Sequence, residues 1–72
     1  MSQPEVLIYV RFAPDGLVTD IGERPQAATA QGWFDYLSAQ VGESFQPLSG
    51  GRGLFHVDRE LIDRFQATFA NV

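Results

Sequence analysis

The stretch EVLIYVRF-APDG-LVTDIG, residues 5–22, constrains this chain more than any other. Val6, Ile8, Val10 and Phe12 alternate with Leu7, Tyr9 and Arg11, the period-two pattern of a strand that turns one face to a core. In APDG, Pro14 presets the first corner of a type I turn and Gly16 supplies the left-handed position that makes a bulge. LVTDIG then reads as the return strand, with Leu17, Thr19 and Ile21 on one face and Val18 and Asp20 on the other. An isolated hairpin is marginal in water. The rest of the chain must therefore extend this hairpin and cover its apolar face.

Two helices and a second hairpin are available for that. TAQGWFDYLSAQVG places Ala30, Trp33, Phe34, Leu37 and Val41 on one helical stripe. Thr29 is the expected N-cap and Gly42 the expected C-cap, with the secure helix starting near Ala30. ESFQPL and GLFHV are short extended runs joined by SGGR, the pattern of a hairpin. Pro47 has no N–H, so its run is an edge strand or an irregular arm. VDRELIDRFQATFANV is helical, with Asp58 as N-cap, Glu60 in the first turn, and Leu61, Ile62, Phe65 and Phe69 on one face. The expected fold class is α+β: a small antiparallel sheet of three or four strands with two helices on one face, in the order β-β-α-(β)-β-α. Residues 1–72 form one expected domain, with residues 1–4 and 71–72 frayed.

Composition narrows the chemistry. The chain has no cysteine, one histidine and no lysine. That removes disulfides, thiolate zinc sites, histidine clusters, Schiff-base lysines and the phosphate-loop lysine. No metal site or cofactor is expected. No run approaches the roughly 18 apolar residues of a membrane span, and MSQPEVLIYV lacks the basic start of a signal peptide. The chain reads as a small acidic cytoplasmic protein. Its net charge is −4, with no basic excess in either half, which speaks against a general nucleic-acid binder.

The candidate sites are few. PLSGGRGLFHV holds Gly50, Gly51 and Gly53 beside Arg52. It lacks the spacing and the Lys-Ser/Thr pair of a phosphate loop, and the residues after it read as a strand rather than a helix. An ordinary turn is the expected role, with an anion held by Arg52 and backbone N–H groups as the alternative. His56 has no nucleophile in a matching context, and the Glu60–Asp63 pair sits with Arg59 and Arg64 on a mixed-charge helix face. No catalytic residue is expected.

The aromatic residues say more. If Val6, Ile8, Val10 and Phe12 face the helices, then Leu7, Tyr9 and Leu54, with Val18 as a further candidate, share the opposite sheet face with Arg11 and His56. That is unusually apolar for a face in water and matches the composition of a contact surface. Trp33 and Tyr36 are secondary candidates for contact, because both cannot easily point into a small core with Phe34 and Leu37; Arg52 is a third. Asp15, Asp20 and Glu23 form an expected acidic surface, clustering with Asp35 or Glu43 if the chain blocks a basic groove. The expected function is a small, non-catalytic protein-interaction or regulatory module, inhibitory in one version, that binds a protein partner or itself as a homodimer, with no membrane and no small-molecule substrate. The alternatives are nucleic-acid binding through the sheet face, led by Tyr9, Arg11, Arg52 and His56, and an accessory subunit of a larger enzyme.

Overall fold

In the computed structural model, residues 5–70 are described. The element order is β1 (Glu5–Phe12), β2 (Val18–Ile21), α1 (Ala30–Val41), a 3-10 turn (Gly42–Ser44), β3 (Phe45–Leu48), β4 (Arg52–Asp58) and α2 (Arg59–Ala70). The four strands form one sheet in the order β2-β1-β4-β3, with every neighbouring pair antiparallel. Both helices pack on one face. The α+β fold read from the sequence is the fold observed, with four strands, and Pro47 lies in β3, an edge strand. The expected fraying of residues 1–4 and 71–72 lies outside the described residues.

Each turn has its cause in the sequence. Between β1 and β2 the Gly16 N–H donates to the Ala13 carbonyl at 2.8 Å, and Gly16 takes φ +91°. Asp15 Oδ1 accepts the Leu17 N–H at 3.1 Å, the side-chain turn that aspartate favours. Between β3 and β4, Gly50 and Gly51 both have positive φ, at 79° and 70°. Two consecutive left-handed residues are a conformation that glycine adopts at no steric cost. The Gly51 carbonyl accepts the Phe12 N–H at 2.8 Å, which ties this turn to β1.

β2 departs from simple alternation. Arg11 pairs with Asp20 but Phe12 pairs with Val18, so Thr19 is an extra residue, a bulge. Val18 and Ile21 are both buried, Thr19 and Asp20 are both exposed, and Leu17 stands 57% exposed at the turn. Val18 is thus a core residue, and Leu17 is not a partner of Ile21 on a buried face. The bulge reverses the side-chain phase, which period two alone does not anticipate.

The core lies between the sheet and the helices. Ile8, Val10, Phe55 and Val57 from the central strands meet Trp33 and Leu37 of α1 and Ile62 and Phe65 of α2. Aromatic rings fill two sub-clusters. Phe34 contacts Phe12, Phe45 and Phe55 at centroid distances of 5.3, 5.8 and 5.8 Å, and Tyr36 meets Phe65 and Phe69 at 5.2 Å each. Gly53 belongs to this layer rather than to a ligand loop. It is buried in β4, and a Cβ there would run into the Phe45 ring. At the start of α1, Thr29 is the N-cap, its Oγ1 accepting the Gly32 N–H at 3.0 Å. Gly42 follows α1 as expected but stays right-handed, φ −57°, and opens the 3-10 turn instead of a left-handed cap.

Candidate functional site

Strand register fixes the composition of the face away from the helices. Across β1 and β4 the paired residues on that face are Glu5 with Asp58, Leu7 with His56, Tyr9 with Leu54, and Arg11 with Arg52. β3 adds Gln46 beside Leu54 and Leu48 beside Arg52, and β2 adds Asp20 beside Arg11. The structure therefore brings Leu7, Tyr9, Arg11, Leu54 and His56 onto one surface, and Arg52 joins them. Leu7 is 45% exposed and Tyr9 60% exposed, two of the three large exposed hydrophobic residues among those described.

Leu54 is on this face but buried, at 9%. It occupies a central strand, with Tyr9 and Gln46 as its cross-strand neighbours. It acts as a floor beneath those side chains and offers little area of its own. Trp33 is a clearer correction. It is fully buried, and its Nε1 donates to the Gly22 carbonyl at 3.1 Å. A carbonyl at the end of β2 satisfies the indole N–H, so the ring can lie wholly inside. Tyr36 is half-buried and stacks on Trp33, with centroids 6.0 Å apart and planes 7° from parallel. Neither residue belongs to the open face.

His56 stands between two polar neighbours. Nδ1 lies 3.1 Å from Glu5 Oε1 and Nε2 lies 3.4 Å from Gln46 Oε1. Arg52 Nε reaches the Ser49 carbonyl at 3.4 Å. Among the described residues, neither Arg11 nor Arg52 has a carboxylate within ion-pair distance; the ion pairs present use His56, Arg59 and Arg64. Tyr9, Arg11, Asp20, Leu48 and Arg52 border an open depression of about 260 Å³. No group of three or more His, Asp or Glu side chains among the described residues is arranged to hold a metal ion. None of the described helices is long and apolar enough to cross a membrane.

The acids of the expected acidic surface each have a local partner. Asp15 serves the first turn, Asp20 Oδ1 accepts the Ile21 N–H at 3.0 Å, and Asp35 accepts from Gln31 at 3.0 Å. Glu23 is engaged within the fold. Its two carboxylate oxygens accept from Arg59 Nη1 and Nη2 at 3.1 and 3.0 Å, and Gln66 Nε2 donates to its backbone carbonyl at 2.8 Å. Glu23 alone among non-glycine residues described has positive φ, 61°. The hydrogen bond from Arg59 holds the Glu23 carboxyl below its ordinary value; the Arg59 charge and Gln66 add to this, and burial opposes it. The same pair raises Arg59. Arg59 thus ties α2 to the turn after β2, while Arg64 pairs with Glu60 at 2.9 Å on the exposed mixed-charge face of α2.

Sequence reasoning left out Glu5, Asp58, Gln46 and Leu48 as members of the open face. Glu5 was visible in the alternation with Leu7 and Tyr9. The others depend on cross-strand register. The face is that of a two-layer α+β domain with a sheet covered on one side. Compared with known proteins, this chain matches no family model, no curated protein and no solved structure. Function has to be read from the surface itself.

Proposed function

We propose that this chain is a small non-catalytic module that works by binding protein through the open face of its sheet. The observation that carries this reading is the pair Leu7 and Tyr9, exposed beside each other over Leu54 in the middle of the sheet. Water-facing sheet surfaces ordinarily alternate to polar side chains, and an apolar centre with a polar rim is the anatomy of a contact surface. Tyr and Arg are also the residue types that dominate binding energy in such surfaces. His56 faces a carboxylate and an amide rather than a nucleophile, which supports a role in contact and not in catalysis.

The test replaces the centre of the face. Wild-type protein and a Leu7→Ser/Tyr9→Ser double variant, shown to share the same circular dichroism spectrum, are compared as baits and for self-association. Protein association by the wild type that the double variant loses supports the reading. Association of equal strength in both would overturn it.

A further inference from the structure

We infer that the occupant of the open face is a second copy of this chain, packed sheet to sheet about a twofold axis that crosses the strands between the Leu7 and Tyr9 positions. This inference rests on the protein-binding reading above and names the partner.

The charges on the face are segregated along the strands. Arg11 and Arg52 are direct cross-strand partners at one end, and Glu5 and Asp58 are direct cross-strand partners at the other. Like charges opposite each other in an antiparallel pair repel and cost stability. Asp20 flanks Arg11 on its β2 side, yet its Oδ1 is bonded to the Ile21 N–H, and Arg52 has no carboxylate beside it among the described residues. His56 bonds Glu5, and Asp58 stays exposed. So a basic row and an acidic row stand at opposite ends of one apolar strip.

A twofold axis lying in the face and running across the strands exchanges those ends. It sets Glu5 of one copy over Arg11 of the other, and Asp58 over Arg52. In the middle it sets Leu7 over Tyr9 and His56 over Leu54. On β1 and β4 each charged pair meets the opposite charge, which is the self-complementarity an isologous interface requires. An isolated anionic ligand at the arginine end would leave the Glu5–Asp58 row unanswered. A second copy answers both rows and covers Leu7 and Tyr9 together. The sheets would stack about 10 Å apart, as in other face-to-face sheet pairs.

The size of the face sets the strength. Six residue steps at about 3.3 Å and four strands at about 4.8 Å give on the order of 400 Å² per copy, or about 800 Å² in all. That is below the roughly 1,200 Å² of a standard stable interface. The dimer is therefore a weak one that forms with rising concentration. Its charge contribution fades near 1 M salt, where screening acts over about 3 Å.

Sedimentation velocity from about 10 µM to about 1 mM tests this, a range that spans weak association. The expected result is a mass that rises from 8.0 kDa toward twice that value. Arg11→Glu/Arg52→Glu and Glu5→Arg/Asp58→Arg should each remain monomeric alone and form dimers when mixed. Asp58 precedes α2, so a second pair, Arg11→Glu and Glu5→Arg, repeats the exchange without touching it. Rescue on mixing in either set supports the second copy. Wild-type protein that stays monomeric at 1 mM overturns it, as does a dimer that survives both charge reversals. A monomeric wild type that still binds another protein, with that binding lost in Leu7→Ser/Tyr9→Ser, leaves the protein-binding reading standing. Failure of both measurements removes both.

Discussion

The middle of β1 is apolar on both faces and only one of them is covered by the helices. Ile8 and Val10 are 0% and 2% exposed beneath the helices, while Leu7 and Tyr9, their immediate neighbours, are 45% and 60% exposed. Chemically the two sets are close; their environments differ because α1 and α2 both pack on the same side. An antiparallel strand with one wet face usually alternates apolar with polar, and a strand apolar on both faces is usually buried on both. β1 carries the second pattern in a fold that covers only one side. In the proposed dimer the second copy would supply the missing layer.

The difference between the faces is broken most severely by Ile8→Ala. Ile8 is fully enclosed by residues from both layers, so the substitution removes buried methyl groups and leaves a cavity. The expected loss is roughly 2–5 kcal/mol. A domain of this size has a total stability of only about 4–11 kcal/mol, at about 0.05–0.15 kcal/mol per residue. Urea titration should therefore show a midpoint far below that of the wild type, at every protein concentration. A loss under about 1 kcal/mol would mean that the helix side is as loosely covered as the open side.

The helix layer has its own clasp, and this can be opened by acid. Arg59 and Gln66 of α2 hold Glu23, and the Glu23 carboxyl lies below its ordinary value of 4.5 chiefly through the Arg59 hydrogen bond. A group with a lowered folded value stabilises the fold above its unfolded value, and the gain is lost as pH falls through the folded one. Thermal midpoints of the wild type should fall as pH drops below about 4.5. Glu23→Gln, which keeps the side-chain shape but cannot ionise, should start lower at neutral pH and fall less steeply on the acid side. Parallel slopes in the two proteins would show that the clasp contributes nothing. Among the described residues, this clasp joins α2 to the turn after β2, on the covered side of the fold.

Much of the fold was legible in the residues, and the exceptions share a cause. The alternation of β1, the Pro14–Gly16 turn, the Thr29 cap and the stripes of both helices are local signals, and each stands where the pattern placed it. The Gly50–Gly51 turn was local too, and so was the restriction of Pro47 to an edge. Trp33 was misplaced because its hydrogen-bond acceptor, the Gly22 carbonyl, is 11 residues away across a turn. The Glu23–Arg59 bond was not legible because its partner is 36 residues on, in α2. Val18 changed face because one extra residue, Thr19, shifts the register. The open face itself was mostly visible, since parity alone assigns Leu7, Tyr9, Arg11 and His56. Its charge rows were not, because opposing Arg11 to Arg52 and Glu5 to Asp58 needs the register of strands more than 40 residues apart. Long-range pairing of this kind has no signature in a short window.

The smallest expected effect is the one that separates the faces best. Leu7→Ala removes side chain that is already nearly half in water, from the same strand as Ile8. In dilute protein, where the proposed dimer would be dissociated, it should change stability by no more than about 0.5 kcal/mol, as surface substitutions do. At high concentration the comparison shifts. A partner that binds only the folded chain adds stability in proportion to the logarithm of its concentration over Kd. Wild-type midpoints should therefore rise with protein concentration, and Leu7→Ala should flatten that rise while Ile8→Ala lowers the whole curve without flattening it. Unfolding curves of the three proteins at two concentrations, about a hundredfold apart, resolve the two behaviours, because self-association over that range is worth at most about 1.4 kcal/mol per chain. If Leu7→Ala and Ile8→Ala differ only in size and neither changes the concentration dependence, then Leu7 faces water in the working protein and the open face is merely a surface.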